Sequence, residues 1–392
     1  MKIAVIGAGA SGLMAAYQIS KTGNVVCFDT NSNAGKKLLL TGSGRCNIGN
    51  VNNDLNKYHS CNNELISKII NEKNILMYKN VLENLGIVYK NKNGYLYPFS
   101  EKSISVLSVC KDACIDNNVE FRFNEKIEDI VKSNDKFIIN GEIFDKVIIA
   151  TGGQSYPRTG SDGFGYKIAS LFGHKVNSLN PSLVPVITNC GYENEWAGIR
   201  TEVDVSLFQN EKFVKMEHGE IQFTNYGLSG ICVFNLSRSI KEGLNKNNDE
   251  IISINFVPWC SNIKEYLNKF ENKELSKICD GFLDYKITGI IIKILKLSGS
   301  KKWSLLNDKE KDEFCNSLCN FKVKIIDTKS FLDAQVTSGG VSLEEINLDN
   351  MESKVVSNLY FVGEVLDLDG DCGGYNLTIS FITGLLAGGF ND

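Results

Sequence analysis

The chain opens with a run of β-branched residues, a glycine-rich turn and an apolar helix. Lys2–Ile6 reads KIAVI and predicts a buried parallel strand. The glycine-rich segment Gly7–Gly12 follows at once, and Leu13–Ser20 predicts a helix with small packing residues. A second strand is predicted at Val25–Phe28. Strand, helix and strand in this order indicate an α/β fold with a parallel sheet.

Apolar and polar positions alternate in the middle of the chain, and the spacing then becomes helical. A β-meander is predicted over Phe121–Ile143, and β-rich alternation returns after Pro185 up to about Phe256. The segment Glu265–Cys319 has helical periodicity. Further strands are predicted at Val119–Ile127, Phe137–Ile139, Lys146–Ala150, Glu202–Leu207, Phe213–Met216, Glu220–Thr224, Val323–Asp327 and Ala334–Thr337. The shifts near Pro185, Pro258 and Val323 suggest inserted domains.

The first turn matches the dinucleotide fingerprint G-x-G-x-x-G, and an acid follows at the expected distance. Gly7 allows the tight turn, Gly9 lets the backbone approach a pyrophosphate, and Gly12 lets helix and strand pack closely. The helix N-terminus offers N–H groups and a positive dipole end to phosphates. Asp29, 22 residues after Gly7, is placed to accept from ribose hydroxyls. This fingerprint alone leaves NAD and FAD open.

Two further glycine-rich segments favour FAD over NAD. In Gly35–Asn47, two lysines precede an apolar turn, and glycines then alternate with small residues and Arg45, which suits a loop near an anionic planar ligand. At the other end, a predicted strand at Leu359–Val362 leads into Gly363-Glu364, a glycine-rich turn and a helix at Leu377–Gly388. N–H groups at that helix start can meet the electron-rich edge of a reduced flavin. NAD alone does not require this second element.

Charge and cysteine usage exclude several classes of protein. The formal net charge is −4, from 42 basic and 46 acidic residues, whereas a general nucleic-acid binder carries a basic face. No apolar run reaches the ~20 residues of a membrane span. The 12 cysteines form no C-x-x-C pair, and the three histidines are not spaced to complete a metal site. We therefore expect a cytoplasmic protein with reduced thiols, without metal, nucleic acid or membrane as partner.

Five motifs together resemble those of the HI0933-like flavoproteins, a family also called aminoacetone oxidase or BaiN-like. They are KKLLLTGSGRCN at Lys36–Asn47, ATGGQSYPRTGS at Ala150–Ser161, VTSGGVSLEEIN at Val336–Asn347, MESK at Met351–Lys354 and GEVLDLDGDCGGYN at Gly363–Asn376. The resemblance covers nearly the whole chain and departs from the family most at Asp162 and Phe164. It implies an α/β fold with a doubly wound, Rossmann-type FAD-binding domain (1–186 and 338–392). It also implies an inserted β-barrel-like domain (187–257 and 322–337) and a small helical domain (258–321).

The resemblance also implies non-covalent FAD and a set of cofactor contacts. These are Gly7, Gly9, Ala10, Ser11, Gly12, Asp29, Lys37, Gly42, Arg45, Cys46, Asn47, Ile127, Thr151, Gly152, Gly363, Glu364, Asp369, Gly374, Asn376 and Leu377. Candidates for chemistry are fewer. Arg45 could supply a fixed charge, Cys46 a redox thiol with Cys372 as its one tempting partner, and Tyr375 a proton. Packing is the alternative role for Cys46 and for Tyr375. His174 is expected to be a cap or a surface residue.

Three functions remain open from the sequence. The first is a flavin oxidoreductase that takes electrons from NADH or NADPH and passes a hydride to an electron-poor double bond of a small molecule. The chain has no second nucleotide fingerprint, so the nicotinamide would have to visit transiently. The second is an aminoacetone-type amine oxidase that uses O₂, and the third is a non-catalytic FAD-binding sensor or partner protein. The sequence leaves the oligomeric state open and is compatible with a monomer.

Overall fold

The computed structural model describes residues 1–389 and divides into two compact units. One unit joins residues 1–180 to the chain from residue 335 onward, and the other comprises residues 181–334. Residues 390–392, the end of the predicted FAD-binding domain, lie outside the described residues. Every predicted cofactor residue belongs to the first unit.

Within the described residues, the secondary-structure elements are as follows. The strands are, in chain order, β1 Lys2–Ile6, β2 Asn24–Asp29, β3 Gly49–Asn50, β4 Tyr58–His59, β5 Tyr89–Lys92, β6 Tyr95–Pro98, β7 Glu120–Phe123, β8 Ile130–Ser133, β9 Lys136–Ile139, β10 Glu142–Phe144, β11 Lys146–Ile149, β12 Val176–Ser182, β13 Val186–Thr188, β14 Arg200–Gln209, β15 Lys212–Thr224, β16 Gly227–Ser229, β17 Glu250–Asn255, β18 Phe321–Thr328, β19 Val336–Val341, β20 Ile346–Asn347, β21 Glu352–Ser353, β22 Leu359–Phe361 and β23 Asp369–Gly370. The α-helices are α1 Ala10–Ser20, α2 Ile66–Ile69, α3 Glu72–Asn84, α4 Ser103–Asp116, α5 Phe164–Leu171, α6 Glu193–Trp196, α7 Ile231–Asn245, α8 Ile263–Asn268, α9 Tyr285–Ile294, α10 Asp308–Cys319 and α11 Tyr375–Ala387.

The first unit is built on the parallel sheet that the sequence predicts. Its strand order is β20-β21-β22-β11-β1-β2-β7, and the last five of these strands are parallel. The central strands are buried on both faces, which explains their continuous β-branched runs. Parallel strands have their carboxyl ends at one edge, and ligands of doubly wound sheets bind there. The ends of β1, β2, β11 and β22 therefore bring Gly7, Asp29, Thr151 and Gly363 to one edge.

Helices α1 and α11, from opposite ends of the chain, pack against each other. A Cβ atom built at Gly384 in α11 would collide with the backbone oxygen of Ser11 in α1. The absence of a side chain at Gly384 thus allows the two helices to come close. Their apolar residues, including Leu13, Met14 and Ile382, join the core that contains the sheet. This packing ties the fingerprint helix to the C-terminal motif.

The predicted meander is confirmed, and two boundaries of the first unit are corrected. Strands β8, β9 and β10 form a three-stranded antiparallel sheet with turns at residues 134–135 and 140–141. The strand predicted at Val119–Ile127 is shorter, because only its first half pairs with β2 as β7. The helix predicted at Lys167–Gly173 begins earlier, at Phe164, after Gly163 in a left-handed conformation (φ +82°). The carboxylate of Asp162 accepts the N–H of Phe164 at 3.0 Å.

The second unit contains a closed antiparallel barrel and the helices that pack with it. The strand order is β13-β16-β15-β14-β17-β18. The alternation in β14 places Val203, Val205 and Leu207 in the interior. The strands predicted at Phe213–Met216 and Glu220–Thr224 form one continuous strand, β15, because the residues between them, Glu217, His218 and Gly219, also pair with β14. The helical segment shares a single hydrophobic core with the barrel. No helix among residues 1–389 is long and apolar enough to cross a membrane.

Candidate cofactor site

At two positions of the fingerprint turn, the surrounding backbone comes so close that only glycine fits. Gly7 has φ +107°, and a Cβ atom there would collide with the carbonyl oxygen of Ala150. A Cβ atom at Gly12 would collide with the carbonyl oxygen of Gly7. The backbone N–H of Gly7 donates to the carbonyl oxygen of Phe28 at 2.8 Å. The two glycines therefore set the close packing of turn, helix and strand that the sequence predicts.

Gly9 differs from these two glycines because the space beside it is open. It stands at the N-cap of α1 with φ −79° and ψ −171°, a conformation that any residue can adopt. A Cβ atom built there meets no heavy atom of residues 1–389 within 4 Å. No side chain of the described chain caps α1, and its first turn has no acidic residue. The open space at a positive helix end is a cradle for an anionic group such as a pyrophosphate.

The carboxylate of Asp29 links the end of β2 to the fingerprint turn. Its Oδ2 accepts the backbone N–H of Ala8 at 2.9 Å. Its Oδ1 accepts from the backbone N–H and the side-chain amide of Asn31, at 2.8 and 2.9 Å. The N–H of Glu125 donates to the carbonyl of Asp29 at 3.2 Å. Ile127, another predicted cofactor contact, lies two residues later in the chain, and its side chain is buried. Carboxylate oxygens have further lone pairs, so the predicted ribose contact of Asp29 stays a prediction.

Lys37 and Glu364 form an ion pair at the centre of a network that joins four segments. The Lys37 Nζ atom lies 2.7 Å from Glu364 Oε2 and donates to Ser155 Oγ at 2.7 Å. Glu364 Oε1 accepts from Ser155 Oγ at 2.7 Å and from the backbone N–H of Thr337 at 2.9 Å. The Thr337 hydroxyl oxygen accepts the N–H of Gln154 at 2.8 Å. Lys37 and Glu364 are among the predicted cofactor contacts, whereas Ser155 and Thr337 lie in motifs to which the sequence assigned no role.

The two ends of the chain meet where β22 ends. Gly363 has φ +76°, and a Cβ atom there would collide with the side chain of Ser11. The N–H of Gly363 donates to Thr383 Oγ1 in α11 at 2.9 Å. Gly152 also has a left-handed conformation, and a Cβ there would lie 3.0 Å from Ser161 Oγ. The close approach of backbone at these turns is what a site for an extended dinucleotide requires.

The loop over residues 41–47 contains a series of left-handed residues. Gly42, Ser43, Gly44 and Cys46 have φ values of +55°, +56°, +83° and +60°. The exposed Arg45 guanidinium lies 5.5 Å from the centre of the Tyr97 ring, and its Nε donates to the carbonyl of Gly42 at 3.4 Å. Arg45 is thus held over the loop as a fixed positive charge. Tyr97 was missed because YLYP reads only as an ordinary alternating strand.

Asn47 brings this loop against the C-terminal glycine-rich turn. Gly374 has φ +94°, and a Cβ atom there would lie 2.7 Å from Asn47 Oδ1 and 2.5 Å from the carbonyl of Gly49. Asn47 Oδ1 and Thr151 Oγ1 are buried and have no hydrogen-bond partner within residues 1–389. Asn376 braces the turn, because its side chain accepts the N–H of Gly370 at 2.9 Å and donates to the carbonyl of Gly370 at 2.7 Å. Leu377 follows it in the first turn of α11.

The remaining candidates for chemistry are buried. Tyr375 is 4% exposed, and its ring packs edge-on against Tyr58 at 5.2 Å. Asp369 is also buried, and it lies opposite His59 where β23 pairs with β4. His59 Nε2 lies 2.8 Å from Asp371 Oδ1 in the following turn. This pair was not predicted, because its two residues are 312 positions apart and lie on or beside strands of two residues, which have no periodic pattern.

The interpretation of His174 as a surface residue is wrong, whereas the alternative of a cap is confirmed, because its backbone N–H donates to the carbonyl of Ala169 at 2.9 Å after the end of α5. His174 is buried, and its Nε2 lies 2.7 Å from Ser353 Oγ while its Nδ1 lies 3.2 Å from Glu345 Oε2. Its ring also packs edge-on against Phe361. The segment Met351–Lys354 supplies Ser353, so part of that motif has a structural role. Burial lowers the pKa of His174 more than Glu345 raises it.

The Cys46 thiol is predicted to be unreactive. It is 0% exposed, and burial raises its pKa to about 11, so the reactive thiolate is rare at neutral pH. We expect iodoacetamide at pH 7.5 to alkylate the exposed Cys61 and to leave Cys46 unmodified. Peptide mass spectrometry of the folded protein measures both sites. Alkylation of Cys46 at a rate comparable to that of Cys61 would contradict this prediction and restore the redox thiol as a candidate.

The comparisons with known proteins place the chain in a family. The HI0933-like protein Rossmann domain profile matches residues 1–390. The chain belongs to the HI0933-like family. It is similar to a 3-dehydro-bile acid delta(4,6)-reductase of Clostridium scindens, with 33% identity over 99% of this chain and 98% of the relative. It is also similar to a ribosomal RNA dihydrouridine synthase of Escherichia coli, with 28% identity over 95% of this chain and 93% of the relative.

One solved structure of a steroid dehydrogenase shares the fold of this HI0933-like protein at low identity. It is a 3-ketosteroid delta1-dehydrogenase from Sterolibacterium denitrificans, with TM-score 0.52, 10% identity and 98% of each chain covered. At this identity the likeness shows the fold alone. The family and its relatives make the chain an FAD-dependent oxidoreductase.

The described residues of this HI0933-like protein fit FAD. The open cradle at Gly9 suits a pyrophosphate, and the buried acceptor of Asn47 suits an N–H or O–H donor of the ligand. When bound, FAD supplies a centre that accepts and donates hydride. The protein contributes the fingerprint turn, the Lys37–Glu364 network and the two loops that meet at Asn47 and Gly374. The individual contacts proposed for these residues remain predictions.

Proposed function

We propose that this protein reduces a carbon–carbon double bond conjugated to a carbonyl group in a small molecule, with NADH or NADPH as the transient electron donor. The observation that carries the proposal is a shared type of reaction. One relative is named a delta(4,6)-reductase of a 3-dehydro-bile acid, and two others are named dihydrouridine synthases. Both names describe the addition of two hydrogens to a double bond. A 3-oxo-4,6-diene and a uracil ring each have that bond in conjugation with a carbonyl.

The site offers the parts that this reaction needs from a protein. The N-terminus of α11 follows the turn at Gly374, and its dipole favours negative charge beside it. Arg45 adds a fixed charge at the neighbouring loop. Tyr375, in the first turn of α11, is buried and packs edge-on against the buried Tyr58. The substrate gains a hydride and a proton, and NAD(P)H supplies the hydride and its electron pair, so one proton must also be delivered.

Reduction of a uracil base within ribosomal RNA is the second candidate. Two relatives with 28% and 27% identity favour it by their names. The relative named for a bile acid is 33% identical. The net charge of −4 also offers little attraction to the phosphates of RNA. We therefore propose a small-molecule substrate without a nucleic-acid partner and treat RNA as a competing result of the test.

Anaerobic spectroscopy of the purified protein tests the proposal. We expect a yellow protein whose flavin absorbance near 450 nm, roughly where flavins absorb, bleaches within seconds after addition of NADH or NADPH. The absorbance should then return on addition of 4-androstene-3,17-dione, a conjugated ketone. Bleaching by aminoacetone, with both nicotinamides inert, would indicate the oxidase. A flavin that none of these reagents reduces would indicate a sensor, and return of colour only with uridine-containing ribosomal RNA would indicate the second candidate.

A further inference from the structure

His59 and Asp371 form a pair beside the C-terminal glycine-rich turn. Strand β4 pairs antiparallel with β23, with His59 opposite Asp369. The N–H of Asp371 donates to the carbonyl of Lys57 at 2.9 Å, which continues the pairing by one residue. His59 Nε2 then lies 2.8 Å from Asp371 Oδ1, and Lys57 Nζ lies 3.2 Å from Oδ2. The backbone pairing thus fixes both ends of the imidazole–carboxylate contact.

The exposure of the two side chains suits proton transfer. The Asp371 side chain is 3% exposed, whereas that of His59 is 23% exposed. A buried carboxylate that bonds one ring nitrogen fixes the orientation of an imidazole. Because Nε2 faces Asp371, Nδ1 is the nitrogen that can exchange a proton with a ligand or with water. Three charged residues lie around this imidazole. Asp371 contacts it directly, Lys57 binds the other oxygen of the Asp371 carboxylate, and Asp369 is opposite His59 in the strand pair.

The position of this pair connects it to the cofactor site. Asp371 belongs to the turn between β23 and α11, three residues before Gly374, which meets Asn47. The same turn is braced by Asn376. The other two histidines are engaged elsewhere. His174 contacts Glu345 and Ser353, and His218 contacts Asp204 and Glu202 in the second unit. His59 is therefore the histidine that contacts this turn.

We propose that His59 is the catalytic acid of the reaction and that Asp371 is its positioning residue. This inference rests on the proposed function, a reduction of a conjugated double bond. Bound FAD, once reduced, would supply a hydride with its electron pair for the carbon farther from the carbonyl. The π electron pair shifts toward the carbonyl, and His59 Nδ1 gives a proton to the nearer carbon. The neutral imidazole then regains a proton from water through its exposed side, which balances the addition of two hydrogens.

Reoxidation of pre-reduced holoenzyme tests the role of His59. The flavin is reduced anaerobically with dithionite, which makes the test independent of any nicotinamide, and is then mixed with 4-androstene-3,17-dione. We expect His59→Gln to keep its FAD and to slow reoxidation by about 100-fold or more, the usual contribution of a general acid. Asp371→Asn should slow it less. His218→Gln, a histidine that also contacts two carboxylates, is the matched control and should react as wild type does.

Two readouts separate catalysis from structure. In D₂O, wild type should place deuterium on one face of the carbon next to the carbonyl, and His59→Gln should lose this stereospecificity. In ¹⁵N spectra of histidine-labelled holoenzyme, Asp371→Asn should change the tautomer signals of His59 and leave those of His174 and His218 unchanged. Reoxidation of His59→Gln within threefold of wild type, with one-sided deuterium, overturns the role of His59. Wild type that the ketone fails to reoxidise overturns the proposed function itself, and with it this inference.

Discussion

Gly9→Val is expected to give a folded, colourless protein. The side chain would enter the open space at the start of α1, where the pyrophosphate of FAD is predicted to lie. Loss of a hydrogen bond to a charged group costs about 1.5–3 kcal/mol, which corresponds to roughly 10- to 150-fold weaker binding. The ratio of flavin to protein absorbance after purification measures retention. Titration of the apoprotein with FAD gives the affinity.

The structure predicts that this variant folds, which makes the loss of FAD informative. Gly9 has an extended conformation, and no heavy atom of residues 1–389 lies within 4 Å of the new Cβ. Gly281→Val in the second unit is the matched control, because the space beside Gly281 is equally open. Gly12→Val is the contrasting variant and should fail to fold, since its Cβ collides with the backbone of Gly7. A Gly9→Val protein that retains a full complement of FAD would falsify the assignment of the fingerprint.

The parallel sheet and the fingerprint were predictable because they are local patterns. Lys2–Ile6 is a continuous apolar run, and its length and neighbours distinguish a buried strand from a helix. Only glycine fits at positions 7 and 12, because a Cβ atom at position 12 would collide with the carbonyl of Gly7 and one at position 7 with the carbonyl of Ala150, next to the adjacent strand. The turns of the meander are marked by Asn and Gly residues. In each case the local sequence and the tertiary contacts favour the same structure.

The partners within the site were less predictable because they are set by long-range packing. Glu364 was expected to contact FAD, and the structure shows that its carboxylate accepts from Lys37, Ser155 and Thr337. Those residues are far apart in the sequence, and no periodicity connects them. The burial of His174 was missed for the same reason, because its partner Ser353, in β21, is 179 positions away in the sequence. Spacing arguments locate a motif, but the partner of each side chain depends on which segments the fold brings together.

Glu364→Gln is expected to destabilise the protein and weaken FAD binding together. The amide would place an N–H group toward the Lys37 ammonium or toward Ser155 and Thr337, so at least one charged or polar group loses its partner. Breaking a buried pair costs about 3–5 kcal/mol. The Lys37 and Glu364 side chains are 26% and 17% exposed, and we therefore expect a loss of about 2–3 kcal/mol in the free energy of unfolding. Urea denaturation of the apoprotein measures this loss, and FAD titration measures the change in affinity.

Glu310→Gln in the second unit separates the two effects. Glu310 also pairs with a lysine, Lys301, at 2.8 Å and also accepts a backbone N–H, that of Asn307. Its variant should lose less stability than Glu364→Gln, because exposed ion pairs contribute little to the free energy of unfolding, and it should keep the FAD affinity of wild type. If Glu364→Gln behaved in the same way, with reduced stability but unchanged FAD affinity, the network would serve only to join segments. A coupled loss of both would show that the positions of Lys37 and Ser155, which Glu364 fixes, are part of how the site holds its cofactor.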